Sequence, residues 1–508
     1  MDKIMKYGTI STGSIEASSA AEEILKFGGN AFDAAVSAVL VSMTSEFALT
    51  GAFGGGVLLG VENNSNPFVY DFFVDSPHKF NSQNEFSSID VDFGSTLQSF
   101  NIGKGSIAIP GTIAGLLEVH KNHGKLPLLD IIKPAIDCAN NGVVISNYQA
   151  YILSLIHPIL SYSSSIKNLF FQDNKLIKKG QTFKNPAFGD FLQLLSKRGS
   201  DYFYRGEGLN IILKFLGNTS NLTKNDFTDY KVTKRNAIGL DFKEHTIYTN
   251  PSPSHGGTLI LFLLKLIQDS NVNNVDIFHL IKGMNLASLA RQEVCIDPDN
   301  EHDISKILND SIYNKHSQLF NNTNSLDFAD GVNGFGSTTH VSIMDNDGNA
   351  VSITTTNGEG CGYAIPEYGI MMNNMLGEDE LNPFGFHKWN KKRRLPTMVS
   401  PIIIMENSKP KFVLGSGGSN RIRSANVQVI LNLLIENLDL QEAISKPRIH
   451  LEGNTLFHEP SISIPNKHIS NMNINSFNDK NLFFGGVNAV SKYSAVGDER
   501  RGGCGIIC

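Results

Sequence analysis

The run Gly336-Ser337-Thr338-Thr339-His340-Val341-Ser342-Ile343-Met344-Asp345 sets a threonine behind a Gly-Ser pair at the head of a strand. A threonine so placed can become a catalyst through an N→O acyl shift. Its hydroxyl attacks the carbonyl of Ser337, the ester hydrolyses, and Thr338 is left with a free α-amine beside its hydroxyl. That amine, with a pKa of about 8, can act as the hydroxyl's general base. Taken without its surroundings, Ser-Thr-Thr before alternating apolar residues is also an ordinary strand start, because β-branched side chains suit a pleated surface. The flanking sequence decides between the two.

Downstream, residues 339–344 and 350–355 alternate around the turn Asp345-Asn346-Asp347-Gly348-Asn349, which predicts a hairpin. Its second strand ends in Thr354-Thr355-Thr356-Asn357-Gly358-Glu359-Gly360, so these hydroxyls and this amide fall near the head of the first strand. Asn373-Asn374-Met375-Leu376-Gly377-Glu378 offers a carboxylate in a loop. Strands are predicted at 401–405 and 411–414, followed by Gly415-Ser416-Gly417-Gly418-Ser419-Asn420-Arg421 and a helix over 422–436. Glycines between a strand and a helix let neighbouring backbone N–H groups converge on an oxyanion. Upstream, residues 309–336 are rich in Asn, Ser, Asp and Gly and read as a weakly patterned, mobile segment that ends at the candidate cut site.

Towards the N-terminus, helical spacing over 15–27 and 31–43 is split by Gly28-Gly29-Asn30, a helical hairpin in which Asn30 and Asp33 cap or brace the turn. Gly51-Ala52-Phe53-Gly54-Gly55-Gly56 leads into strands at 57–61 and 68–73; a phosphate-binding reading of these glycines fails because no helix follows. Residues 106–112 predict a strand running through Pro110 into a helix over 113–123. Further helices are predicted near 127–141, 187–196 and 258–267, with a polar connection at 218–229. No internal repeat or low-complexity linker interrupts the chain, which favours one compact unit over separate domains.

The 508 residues are 41% hydrophobic and 18% charged, enough for a large core. A net charge of −6 and the lack of a basic stripe argue against a nucleic-acid partner. The densest basic run, Lys391-Lys392-Arg393-Arg394, reads as a solvated loop. Five widely spaced cysteines form no CxxC pair and no zinc spacing, so they read as reduced thiols and no metal is expected. With no apolar signal core at the N-terminus, no run of about twenty apolar residues and no prenylation box at Cys508, the expected location is cytoplasmic, away from membranes.

At these residues the chain resembles the gamma-glutamyltranspeptidase family of N-terminal-nucleophile hydrolases. The resemblance runs nearly end to end through Gly28 to Ala35, Pro110-Gly111-Thr112, Pro134-Ala135-Ile136, Gly336 to His340, the hairpin, Asn373-Asn374, Gly417-Gly418 and Pro447-Arg448-Ile449. It implies a four-layer αββα sandwich, made as a precursor that cuts itself into segments 1–337 and 338–508. The two segments would stay associated as one domain, and a homodimer is compatible with this. No organic cofactor or metal is implied; the partners are a small amide substrate and water or an amine acceptor.

Position by position, the resemblance makes Thr338 the nucleophile, Ser337–Thr338 the cut bond, Thr356 the hydroxyl that orients the nucleophile, and Gly417 and Gly418 the oxyanion glycines. Asn357 stands near the family's substrate-binding asparagine, with a one-residue ambiguity because Gly358 holds the nominal register. Asn374, Glu378 and Thr397 fall on the substrate side, Glu378 where the family has the aspartate that grips the substrate α-amino group. Glu378 also reads as a plain surface acid, Thr356 as a strand hydroxyl satisfied by its neighbours, and His340 as structural.

Three departures bear on specificity. Asp71-Phe72 is followed by Phe73 where glutathione-processing members carry the arginine that grips the substrate α-carboxylate, Met375 replaces a Gln or Glu, and Pro396-Thr397 replaces a Ser-Ser pair. Arg393 or Arg394 is a candidate substitute cation. The expected activity is cleavage of γ-glutamyl amides such as glutathione, with a glutaryl-type acylase as the alternative. A rival of another class is an uncleaved, catalytically silent binding protein, against which the complete Gly-Ser-Thr-Thr-His run and the Gly-Gly pair argue.

Overall fold

The hairpin around Thr338 forms as its alternation predicts, and the two main sheets are arranged about it. The computed structural model describes residues 6–63, 65–92, 97–270, 275–295, 303–322, 327–329, 331, 336–389, 391–464 and 472–508. In chain order the strands of the two main sheets are β1 (Gly8–Thr12), β2 (Gly55–Val61), β3 (Phe68–Phe72), β4 (Thr233–Asn236), β5 (Ile238–Phe242), β6 (His245–Thr249), β7 (Thr338–Asp345), β8 (Ala350–Thr356), β9 (Ile402–Glu406), β10 (Lys409–Gly417), β11 (Gly486–Ser491), β12 (Ser494–Val496) and β13 (Cys504–Ile507). Among the described residues the first sheet has seven strands in the order β4-β3-β2-β8-β7-β1-β13, and the second has six in the order β5-β6-β9-β10-β11-β12.

Side-chain alternation then assigns the layers. On β7, Val341 and Ile343 are fully buried against helices α1 (Ile15–Lys26) and α2 (Ala31–Ser45), which cover the outer face of the first sheet. Each such burial contributes roughly 1.5–3 kcal/mol. The opposite face meets the second sheet through Val57, Leu59, Met344, Ile403 and Val413. Helices α3 (Gly256–Asp269), α4 (Ile277–Val294) and α5 (Arg421–Leu434) cover the far side, packed on Ile247, Ile404 and Leu414. The result is the αββα sandwich that the resemblance implies. No helix among the described residues is long and apolar enough to cross a membrane.

The interface between the sheets is not wholly apolar. His340 is buried there, its Nδ1 2.7 Å from the Thr354 hydroxyl and its Nε2 2.9 Å from the Ser342 hydroxyl. Burial holds its pKa down at about 3, so it stays neutral and structural, as the sequence suggested. The helical hairpin is capped as expected: the Asn30 side chain accepts the N–H groups of Phe32 and Asp33, and Asp33 Oδ2 accepts the Asn30 N–H at 3.2 Å.

Three expectations fail. Residues 106–109 form no strand; only a single bridge joins Asp75 to Ile109 before the helix Thr112–His123. The polar connection holds a short helix, Lys224–Asp229, started by a Thr223–Asp226 capping box. The weakly patterned stretch before Thr338 contains the helix Asp310–Asn322, because Tyr313, His316 and Phe320 fall on one buried face despite the polar residues between them. The rest of that stretch lies largely outside the described residues.

Candidate active site

Strand pairing places Thr338 directly opposite Thr356, and β10 ends against the same strand head. A Cβ on Gly417 would lie 2.2 Å from the Thr338 carbonyl oxygen, so only a glycine lets the two main chains touch. Gly418 follows at a φ of 122°, a conformation that side chains oppose. On the other side, a Cβ on Gly54 would fall 2.1 Å from the Thr356 carbonyl oxygen, which explains the glycines that precede β2.

Ser337, 7% exposed, is held at both ends. The Thr356 hydroxyl donates to its carbonyl, and its N–H donates to Glu359 Oε1 at 3.0 Å. The Thr356 oxygen also accepts the Gly358 N–H at 3.1 Å, which leaves its own proton for the Ser337 carbonyl. The hydroxyl therefore polarises the carbonyl of the peptide bond between residues 337 and 338.

Behind this turn stand Glu359, Glu378 and Glu380. A Cβ on Gly358 would be 2.2 Å from Glu378 Oε1 and 2.2 Å from Asn374 Oδ1, and Asn374 Oδ1 accepts the Glu359 N–H at 3.0 Å. One oxygen of each carboxyl is enclosed without a hydrogen-bond partner among the described residues. Burial raises the pKa of Glu359 to about 8 and that of Glu380 to about 7. It also lifts Glu378 well above the carboxylate range, and the neighbouring Glu359, Glu380 and Asp379 push it further. Glu380 bonds the Ser419 hydroxyl just beyond Gly418, which ties this acidic loop to the glycine turn.

The other candidates divide. Glu378 and Asn374 lie beside Gly358, whereas the Asn357 side chain turns away, donating to the Met371 carbonyl at 3.2 Å and facing Gly51. Thr397 is buried at the start of α3, its hydroxyl accepting the Val399 N–H at 3.2 Å and its carbonyl accepting the His255 N–H at 2.8 Å. Phe73, 1% exposed, shares one apolar cluster with Met375, Leu376 and Leu395.

Lys391, Lys392 and Arg393 are exposed, as read for their loop, whereas Arg394 departs from both readings of it. Its side chain is 8% exposed rather than solvated, with Nε 3.4 Å from Asp71 and 3.3 Å from Asp75 and with Nη1 donating to the Phe73 carbonyl. A buried guanidinium needs such partners, and these commit it to the structure rather than to a substrate.

Sequence reasoning missed Glu359, Glu380 and Arg501. The Arg501 guanidinium lies against the glycine turn, 2.9 Å from the position a Gly418 Cβ would take, and its Nε donates to the Leu482 carbonyl at 3.3 Å. Nothing in the spacing of these residues marks them as inward-facing. Among the described residues no set of three His, Cys, Asp or Glu side chains is placed to hold a metal ion.

Residues 17–507 match the profile of the family described as Gamma-glutamyltranspeptidase. A glutathione hydrolase proenzyme of Bacillus subtilis (strain 168) is 26% identical over 545 residues, covering 99% of this chain and 91% of that protein. The Acylase ACY 1 proenzyme of Pseudomonas sp. (strain SE83) is 25% identical, covering 90% of this chain and 84% of its own. Among solved structures, the cephalosporin acylase of Bacillus halodurans superposes with a TM-score of 0.85 at 20% identity, covering 100% of this chain and 96% of that one, a likeness of fold.

Proposed function

The chain belongs to the gamma-glutamyltranspeptidase family, within the N-terminal-nucleophile amidohydrolases and transferases, and from that premise we propose that it matures by cutting its own Ser337–Thr338 bond and then uses Thr338 to take an acyl group from an amide. The observation that carries the reading is the hydrogen bond from the Thr356 hydroxyl to the Ser337 carbonyl. It activates the one carbonyl that the Thr338 hydroxyl must attack.

In the cut, the Thr338 oxygen adds to the Ser337 carbonyl carbon and the C–N bond breaks, its nitrogen taking up the hydroxyl proton. Water then hydrolyses the ester, leaving a Ser337 carboxyl group and a free Thr338 amine. In turnover that amine accepts the proton of the Thr338 hydroxyl as the oxygen attacks the substrate amide. Gly417 and Gly418 N–H groups receive the oxyanion, and water or an amine releases the acyl group. Because Gly417 touches Thr338, we expect Gly417→Ala to displace this corner and to slow both maturation and turnover by about a hundredfold. Denaturing electrophoresis and an amide assay read the two rates; wild-type values for both would separate Gly417 from the chemistry.

The proposed acyl donors are γ-glutamyl-type amides, with a weakened demand for the α-carboxylate. Relatives named glutathione hydrolase support the first part. The apolar cluster of Phe73 and Met375 supports the second and gives weight to the acylase alternative, a name that another relative carries. A lost bidentate contact corresponds to roughly 1.5–3 kcal/mol, or about ten- to a hundredfold in recognition. We therefore expect a 4-aminobutyryl anilide, which keeps the amino group of the γ-glutamyl compound and lacks only its α-carboxylate, to be hydrolysed within about tenfold of the γ-glutamyl anilide. A preference above a hundredfold for the γ-glutamyl compound would contradict this specificity.

A further inference from the structure

Glu359 has no part in the scheme above, yet it is the residue that holds the acyl side of the proposed cut. It stands three residues beyond Thr356, past the turn in which Gly358 adopts a φ of 58°, and its side chain reaches back across the hairpin to the Ser337 N–H. Its own main chain is fixed by the bond from its N–H to Asn374 Oδ1 at 3.0 Å. It is 2% exposed, so water does not compete for the bond to Ser337.

Thr356 grips the carbonyl of the same residue that Glu359 grips by the N–H. One bond at each end of Ser337 removes the freedom of its carbonyl plane to swing about the backbone torsions. Thr356 alone fixes the oxygen, but the residue can still pivot about that single contact. With both ends held, the face of the carbonyl carbon is set relative to Thr338.

We propose that Glu359 is a positioning residue for self-cleavage: its carboxyl oxygen anchors the Ser337 N–H so that the carbonyl carbon is presented to the Thr338 hydroxyl. This rests on the self-cleavage reading above and extends it to a residue that the family resemblance did not assign. The groups that face Glu359 are Glu378 and Glu380, which disfavour its charge, and Arg501, which favours it. The anchor needs only an acceptor oxygen, which a carboxyl group supplies whether or not it is ionised. What matters is therefore the reach of the side chain rather than its charge.

Two conservative variants separate these properties. Glu359→Gln keeps an acceptor at the same reach and removes the charge, whereas Glu359→Asp keeps the charge and withdraws it by one methylene. The full chain is made by cell-free translation, and appearance of the fragment beginning at Thr338 is followed by denaturing electrophoresis and N-terminal sequencing from pH 6 to pH 9. Glu359→Gln is expected to mature within about threefold of wild type across this range, and Glu359→Asp to be slowed by about ten- to a hundredfold, the effect of leaving the buried Ser337 N–H without its acceptor. Rescue by glutamine is the readout that a merely space-filling role, in which both variants would be mild, does not produce. Glu359→Asp maturing at the wild-type rate overturns the proposal, as does Glu359→Gln proving as slow as Glu359→Asp. A wild-type chain that stays whole overturns the self-cleavage reading itself, a different and separately visible failure.

Discussion

Thr338→Ala is expected to leave a single uncut polypeptide that hydrolyses no amide above background, a loss of about 10⁴-fold or more. One substitution removes two things. Without the hydroxyl nothing attacks the Ser337 carbonyl, and without the cut no free amine arises to act as base. Thr338→Ser, which keeps a hydroxyl on the same carbon, should restore both the fragments and measurable turnover. Denaturing electrophoresis together with an anilide assay reads both properties, and activity retained by the alanine variant would remove Thr338 from the mechanism.

The second large effect is expected at Thr356. Valine has nearly the same shape, so Thr356→Val keeps the packing at the end of β8, where Thr356 is 8% exposed. It deletes the donor to the Ser337 carbonyl and the acceptor of the Gly358 N–H. Removing one preorganised donor from a developing oxyanion costs about 10²–10³-fold in rate, and maturation should slow by that order. The rate at which the fragment starting at Thr338 appears is the measurement. Wild-type kinetics in the valine variant would show that the hydrogen bond is a feature of the resting chain alone.

Both expectations depend on a geometry of which part was legible in the sequence. The alternation over 339–344 and 350–355 locates the hairpin to within one residue at its ends, because the turn Asp345 to Asn349 fixes the register and a slip by one would turn Val341 and Ile343 away from the helices. Given that register, Thr338 and Thr356 must face each other. The glycines of the 415–421 run were legible as a place where backbone N–H groups converge, but their neighbour was not: that Gly417 meets Thr338 follows from how the two sheets stack, and strand patterns do not encode stacking.

What escaped the sequence was which polar residues turn inward. Four consecutive basic residues look alike on paper, and it is Asp71, Asp75 and the Phe73 carbonyl that take up Arg394 where it is buried. Glu359 and Glu380 read as loop acids, since acidic residues are mostly exposed, until the hairpin end and the glycine turn enclose them. The one-residue ambiguity between Asn357 and Gly358 was likewise a matter of side-chain direction. It is Gly358 that sits against Glu378, while Asn357 faces Gly51 and Met371. The helix Asp310–Asn322 was hidden because its buried stripe is carried by Tyr313, His316 and Phe320 among Asn and Ser residues that favour loops.

The claim on which the account turns is that the working form of this chain begins a polypeptide at Thr338. Intact-mass spectrometry of a preparation with measured amide turnover tests it directly. The account predicts two masses, those of residues 1–337 and 338–508, the second opening with threonine. Turnover from material that contains only the unbroken 508-residue chain would contradict it.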